Sequence, residues 1–155
     1  MDLIFDRTLG DVSRWKELRS KSWREMTISE RREWLSDMKG CYNHTDLNRV
    51  ENAVATLSNF LKAQGYEHET LVVKTNWSRS DIPSSDDMKR YYRNIAVLRE
   101  AFLVYPDTPE APVEGERLDY VIANNIERIL FDIADVCTKT PQSSYFLGEI
   151  FSGEV

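Results

Sequence analysis

Apolar residues recur at alternating steps of three and four along three stretches of the chain, the spacing that gathers side chains on one face of an α-helix. The stretches are residues 42–66, 84–102 and 117–138. Their apolar positions are, in chain order, Leu47, Val50, Val54, Leu57 and Leu61; Met88, Tyr91, Ile95, Leu98 and Phe102; and Leu118, Ile122, Ile126, Ile129, Ile133 and Val136. Because helices with matching apolar faces pack against one another, the pattern predicts an α-helical bundle.

Two shorter helices are predicted before residue 42 from their capping residues. Thr8 with Asp11, and Thr27 with Glu30, have the spacing of a capping box, in which two side chains bind free N–H groups at a helix start. The first helix is expected to extend to about residue 20 and the second to Gly40. The expected inward-facing residues are Val12, Trp15 and Leu18 in the first helix, and Trp34, Leu35 and Met38 in the second.

The ends of the longer helices carry their own signals. Thr45 is the expected cap of the first long helix, and Gly65 lies where a left-handed residue commonly ends a helix. Tyr66 is expected to fold back on the last turn of that helix. Ser84 or Ser85 is expected to cap the second long helix, since a serine hydroxyl accepts from the first free N–H groups.

The segments between the helices are less regular. Residues 69–74 (ETLVVK) gather β-branched side chains and predict one minor strand, which needs a partner strand to be stable. Residues 106–115 contain three of the five prolines and predict a rigid, exposed connector. The apolar residues 1–5 are expected to pack on the body of the protein or on a neighbour. The predicted fold is mainly α, with about five helices, one minor strand and an extended C-terminal tail.

The last residues repeat one short pattern. Residues 146–150 (FLGEI) and 151–155 (FSGEV) each contain Phe, any residue, Gly, Glu and then Ile or Val. Two glycines disfavour a helix, and so many apolar side chains are not expected to remain in water. We therefore divide the chain into a helical bundle domain, residues 1–141, and an extended docking tail, residues 142–155. The predicted partner-binding residues are Tyr145, Phe146, Ile150, Phe151 and Val155.

Two destinations for this tail remain open on sequence grounds. It could close over its own bundle, pairing with the predicted strand at Leu71. It could instead reach a neighbouring subunit or another protein, adding a strand or filling pockets with its apolar side chains.

Composition and charge narrow the class of protein. The 155 residues are 41% hydrophobic and 30% charged, as in a folded domain. The net charge of −6 makes a nucleic-acid partner unexpected, because such a partner requires a basic face; the basic residues in 14–32 are interrupted by glutamates. No segment approaches the ~20 apolar residues of a membrane span. The start of the chain is not typical of a secretory signal, so Cys41 and Cys137 are expected to be thiols in a protein made in the cytoplasm.

Candidate chemistry is sparse. There is no glycine-rich phosphate loop, nucleophile elbow or zinc-protease motif, and the pair Cys41 and His44 is too few ligands for zinc. Glu51 and Glu127 follow similar strings, NRVE and NNIE, and could form a paired-carboxylate acid–base site. Asn and Glu beside a buried stripe more often make hydrogen bonds that fix helix register. We therefore predict no catalytic residue, no metal site and no cofactor, and we do not expect an enzyme.

The tryptophans allow two interpretations. They are many for the length of the chain and could form a sugar-stacking or partner-binding face; they are Trp15, Trp23, Trp34 and Trp77. Three of them fall in or between the two short helices, where bulky side chains commonly fill the gap against a longer helix. The second interpretation is favoured.

Several phrases of the sequence resemble a small protein family encoded in phages and prophages of Gram-positive bacteria. They are KGCYNHTDLNRVE at residues 39–51, TDLNRVENAV at 45–54, TNWSRSDIPSSDDMKRYYRNIAVLR at 75–99 and SGEV at 152–155. The segment LNRVE, residues 47–51, is also similar to a helix of phage tail-fibre and baseplate components.

This resemblance covers residues 7–155 and carries no catalytic residues. It implies a virion structural protein of the tail or baseplate, or of a phage-tail-like particle, whose partners are other tail proteins and further copies of itself. No membrane partner is expected. Two alternatives remain: a cytoplasmic helical adaptor or tail-assembly chaperone, and a receptor-binding or cell-wall-acting tail component.

Overall fold

Five helices form within residues 1–140, the part of the chain that the computed structural model describes. In chain order they are α1 (Leu9–Ser20), α2 (Ile28–Leu35), α3 (His44–Ala63), α4 (Ser85–Ala101) and α5 (Tyr120–Lys139). The predicted mainly α bundle of about five helices is therefore confirmed for this part of the chain. The predicted tail, residues 142–155, lies outside the described residues, and so does its boundary with the bundle domain.

The core is formed by the apolar faces of α3, α4 and α5, each of which contacts the other two. Most of the residues whose spacing predicted these helices are buried there: Leu47, Val50, Val54, Leu57, Leu61, Tyr91, Ile95, Leu98, Ile126, Ile129 and Ile133. Outer members of the predicted stripes, such as Met88 and Ile122, are partly buried against this core. The expected packing of matching apolar faces is confirmed.

Helices α3 and α4 run parallel, because their starts meet at one end of the bundle and their ends meet at the other. The hydroxyl groups of Tyr42, just before α3, and Tyr91, in the second turn of α4, lie 2.5 Å apart. The rings of Tyr66, after α3, and Phe102, after α4, pack edge to face with centroids 4.7 Å apart. We call these the entry end and the exit end of the bundle.

Helix α5 has the same direction. Near the entry end, Arg49 in α3 pairs with Glu127 in α5 at 2.9 Å. Near the exit end, the hydroxyl of Tyr105, after α4, donates to Asp135 in the last turns of α5 at 2.5 Å. All three core helices therefore begin at the entry end.

Parallel neighbours require long connections that return the chain to the entry end. Residues 64–84 return along α3 and α4, residues 102–119 return along α4 and α5, and residues 4–7 lie along α5 and α3. Residues 64–84 are placed by the hydrogen bonds Lys74–Glu51 and Val72–Asn94. Residues 102–119 are placed by Thr108–Asp132 and Pro109–Arg99. Residues 4–7 are placed by Arg7–Asn124 and Arg7–Asp46. Each groove between two core helices thus contains a segment of the chain itself.

The predicted strand at residues 69–74 is not confirmed, because no strand forms among residues 1–140. Helix side chains take the place of a partner strand. The backbone N–H of Lys74 donates to Glu51 at 3.1 Å, and the carbonyl of Val72 accepts from Arg90 and Asn94, each at 2.8 Å. The β-branched residues therefore mark a segment that lies on helices instead of beside another strand.

Two predicted helix ends are wrong. Helix α2 ends at Leu35 and not at Gly40, so Met38 lies beyond the helix and the side chain of Leu35 is 58% exposed. The short helices α1 and α2 bury too few apolar residues to cover the side chain of Leu35. The cap of α3 is Asn43, whose side-chain oxygen accepts from the N–H of Thr45 at 2.8 Å.

Other predicted ends are confirmed. Capping boxes form at Thr8, Thr27 and Ser84, each with an acidic partner three residues later. Gly65 has a φ of +85°, and the N–H of Tyr66 donates back to the carbonyl of Leu61 at 2.9 Å.

The two remaining irregular segments both pack on the bundle. Of the apolar residues 1–5, Leu3 packs against the core and the ring of Phe5 lies 5.1 Å from the ring of Phe131. The connector at residues 106–115 is only partly exposed, contrary to expectation, because Thr108 is buried. Its hydroxyl donates to Asp132 on α5 at 2.7 Å, which fastens the connector to the bundle.

Candidate functional site

Two asparagines of the core helices each bind the backbone of one residue that lies against the bundle, through both its N–H and its carbonyl group. The side chain of Asn48 accepts from the N–H of Trp77 at 2.8 Å and donates to its carbonyl at 2.9 Å. The side chain of Asn124 does the same to Arg7, at 3.0 and 2.8 Å. An amide presents a donor and an acceptor side by side, so it pairs with backbone as a neighbouring strand would.

A glutamate three residues later completes each of these contacts. Glu51 accepts from the N–H of Lys74 at 3.1 Å, and Glu127 accepts from the N–H of Ile4 at 2.6 Å. In both cases the residue bound by Glu precedes the residue bound by Asn by three positions. The similar strings NRVE and NNIE are therefore one structural motif used twice, which we call the Asn–Glu clamp.

Both clamp glutamates are buried and paired with arginine. The side chain of Glu51 is 1% exposed and forms a two-pronged pair with Arg90 at 2.6 and 2.8 Å. The side chain of Glu127 is fully buried and pairs with Arg7 at 2.8 Å and with Arg49 at 2.9 Å. A charge removed from water requires such partners. These contacts are those expected of glutamates that fix helix register, the second interpretation of the sequence.

The carboxylate of Asp46 extends the Glu127 cluster at the entry end. It accepts from Arg7 at 2.9 Å and also pairs with Arg49, so two acids and two arginines alternate around the start of α3. The ring of Tyr42 lies beneath the guanidinium of Arg7, 5.2 Å away. This cluster connects residues that are distant in the sequence.

The two phenols next to this cluster predict a loss of stability in alkali. Burial raises the pKa of Tyr42 and of Tyr91 above the ordinary value of 10.0. The stabilisation is complete below about pH 10, where both phenols are neutral in the folded and unfolded chain alike. As the pH rises further only the unfolded chain ionises, so we expect the free energy of unfolding to fall above about pH 10.

NMR of ring-labelled tyrosine checks this expectation. The Tyr91 resonances should not titrate while the protein remains folded, and Tyr91→Phe should flatten the alkaline decline in stability. A Tyr91 phenol that titrates near pH 10 in the folded protein would contradict it.

The five predicted partner-binding residues lie outside the described residues; they are Tyr145, Phe146, Ile150, Phe151 and Val155. Cys41 is a free cysteine two residues before the Asn43 cap of α3, and His44 is the first residue of that helix. In the part of the chain that the structure describes, no cluster of three or more acidic, His or Cys side chains is arranged to hold a metal ion. Trp77 is buried in the core, whereas Trp23 is 49% exposed.

The α1–α2 pair, residues 9–35, exposes several large apolar side chains. It buries only Leu18 and Met26, and ion pairs such as Lys21–Glu30 at 2.5 Å join its two helices. The exposed fractions of its large apolar residues are 63% for Leu9, 49% for Trp23, 69% for Ile28 and 58% for Leu35. Exposed apolar side chains in one small region are typical of an interaction surface.

Two grooves flank this pair at the entry end of the bundle. The first, of about 450 Å³, is lined by apolar side chains of α1 and α2 and by the polar residues Asp37, His44, Arg79 and Asp81. The second, of about 400 Å³, lies between α1, residues 39–42 and the start of α5; we call it the α1–α5 groove. Its apolar lining includes Leu9, Val12, Trp15, Leu118 and Tyr120.

The sequence alone did not identify these grooves. Leu9 and Leu35 have the same apolar character as core residues, and only the three-dimensional arrangement distinguishes them. The two Asn–Glu clamps could be recognised in the sequence as the similar strings NRVE and NNIE. The residues that they bind, such as Ile4, Arg7 and Trp77, carry no local sequence signal of that role.

Comparison with known proteins found no matching family model, no matching curated protein and no matching solved structure. None of the helices within residues 1–140 combines the length and the apolar character needed to cross a lipid bilayer.

Proposed function

We propose that this chain is a non-enzymatic structural protein of a phage tail or baseplate, or of a phage-tail-like particle, located in the virion. The observation that carries the proposal is the contrast between the interior and the α1–α2 pair. The acids of the interior are engaged in structural ion pairs, whereas four large apolar side chains of the pair face solvent. Such a surface favours contact with other proteins.

The resemblance of residues 39–54 and 75–99 to phage-encoded proteins supports the same assignment. These residues include the first half of α3 with its clamp and most of α4, so the resemblance falls on segments that form the bundle. The partners in this proposal are other tail or baseplate proteins and further copies of the chain. Residues 142–155 act as the docking tail, with Phe146 and Phe151 as its anchors.

Deletion of residues 143–155 tests the docking role. We expect the shortened chain to keep its helical circular dichroism and its cooperative unfolding, because the core helices end before this segment. We expect it to lose association, measured by size-exclusion chromatography with light scattering. A shortened chain that no longer folds would show that the tail belongs to its own bundle.

Mass spectrometry of purified particles tests the location. We expect peptides of this chain in the finished particles, in constant proportion to other tail proteins. Absence from the particles, with abundance in infected cells, would instead favour an assembly chaperone or cytoplasmic adaptor, for which an exposed apolar surface is equally suitable. Specific adsorption of the isolated protein to host cells would favour the receptor-binding alternative, with the exposed Trp23 as its first candidate residue.

A further inference from the structure

We propose that the α1–α5 groove of one copy receives residues 142–155 of a second copy, so that the chain assembles head to tail. This inference rests on the proposed function for the docking role of that segment, and it adds the receiving site. Three features carry it: the chemistry of the groove, the chemistry of the segment, and the distance between the groove and the end of α5.

The groove combines an apolar floor with a basic rim. Trp15, Val12 and Leu118 are partly buried in it, and Leu9 remains 63% exposed at its edge. Around these side chains lie the exposed residues Lys16, Lys39 and Arg117.

The charges of the rim are only partly balanced. Lys39 pairs with Asp6 at 2.6 Å, whereas Lys16 and Arg117 have no ion-pair partner among residues 1–140. The acid in the lining, Asp119, accepts from the N–H groups of Val121 and Ile122 as the cap of α5. Because the Asp119 carboxylate offsets only one of the two charges of Lys16 and Arg117, the rim retains a positive charge that an acidic ligand would neutralise.

Residues 142–155 have the complementary chemistry. They contain two phenylalanines, two glutamates, Glu149 and Glu154, and no Lys, Arg or His. An apolar peptide of negative charge fits an apolar floor with a basic rim. The neighbouring groove at α2 does not match in this way, because Asp37 and Asp81 offset Arg79 in its lining.

The position of the groove favours a second copy over the same copy. The groove lies at the entry end, beside the start of α5, whereas the chain leaves α5 at Lys139 at the exit end. A 20-residue helix is about 30 Å long. To return that distance within one copy, an extended chain needs about nine residues, so the first Phe-x-Gly-Glu pattern would be used for spanning instead of binding.

Parts of the grooves between the core helices are also occupied by residues 4–7, 64–84 and 102–119, which reduces the apolar surface there for a returning tail. Docking into the next copy requires no such return. The two contacting surfaces differ, so the contact is heterologous and generates a ring or a filament.

Charge exchange on the full chain tests the proposal. The groove variant carries Lys16→Glu and Arg117→Glu, and the tail variant carries Glu149→Lys and Glu154→Lys. Each should weaken self-association at least about tenfold, measured by light scattering over a concentration series, because two rim ion pairs become repulsive. The chain with all four substitutions should recover association, because the ion pairs are restored with opposite sign.

A matched control reverses two charges within residues 9–35 that lie away from the groove. Arg24 and Arg32 are exposed and line neither groove, so Arg24→Glu with Arg32→Glu should leave association unchanged. The proposal would be overturned, in favour of docking within one copy, if the wild-type chain is monomeric and the amides of residues 142–155 are protected from hydrogen exchange. Unchanged association in the groove variant would overturn it as well.

The outcomes separate this inference from the proposed function. If self-association depends on the groove but the chain is absent from particles, the proposed function fails and the groove assignment stands. If the chain is present in particles but the groove variant associates as the wild type does, the groove assignment fails and the proposed function stands.

Discussion

Replacing Glu127 with Ala should lower the free energy of unfolding by about 3–5 kcal/mol. The side chain is fully buried and pairs with both Arg7 and Arg49, and it also accepts from the N–H of Ile4 at 2.6 Å. Its removal leaves Asp46 as the one acid in contact with two arginines. An uncompensated buried charge is costly, and that cost exceeds the lost hydrogen bonds.

Urea unfolding followed by circular dichroism measures this effect. Glu127→Gln is the matched variant for shape: it preserves volume and an acceptor for Ile4 but removes the charge, so most of the loss should remain. Glu17→Ala is the control at the surface, where the pair with Arg14 is exposed and screened by water, so the loss of stability should be small. A loss below about 1 kcal/mol for Glu127→Ala would contradict the assigned role of the buried cluster.

Replacing Gly40 with Ala should release the α1–α2 pair from the bundle. A Cβ atom at this position would lie 2.0 Å from the carbonyl oxygen of Asp11 and 2.9 Å from the nitrogen of Val12, both in the backbone of α1. Backbone in a helix cannot move aside as a flexible side chain can. Forcing an extra carbon into such a contact costs about 3 kcal/mol or more, so α1 must shift or detach.

Hydrogen exchange resolved along the chain checks this expectation. Amides of α1 and α2 should exchange about a hundredfold faster in Gly40→Ala, whereas the protected amides of α3, α4 and α5 should change little. Gly10→Ala is the matched control, because its Cβ would meet only the hydroxyl of Thr8, at 3.4 Å. Uniform loss of protection in all five helices would show that the α1–α2 pair is not a separable part of the fold.

The long helices could be predicted from the sequence because the signal is local and repeated. In α3, five apolar residues at helical spacing all become buried, and the same rule places Ile126, Ile129 and Ile133 in the core. The capping boxes at Thr8 and Thr27 were equally predictable, since the capping threonine and its acidic partner lie within one helical turn.

The errors arose where distant contacts decide the structure. Gly40 was taken as a helix end, but its missing side chain admits the backbone of α1, some 29 residues earlier in the sequence. Residues 69–74 have strand composition, yet Glu51 and Asn94 satisfy their backbone from helices.

The candidate site was predicted only in part. The similarity of NRVE and NNIE indicated that Glu51 and Glu127 share a setting, and the structure explains it by the two clamps. The role of Arg7 was not predictable, because its acidic partners Asp46 and Glu127 lie 39 and 120 residues away. The rim residues Lys16 and Arg117 are individually ordinary surface charges, and only the fold brings them to one groove.

The clamp on residues 4–7 has a consequence for the order in which the protein is made. Ile4 leaves the ribosome before its anchor Glu127, which is 123 positions later, so the segment remains unbound while the residues between them are made. Contacts of such long range also slow the closure of the core. Among the helices of residues 1–140, α5 is therefore the one that both completes the hydrophobic interior and binds residues 4–7.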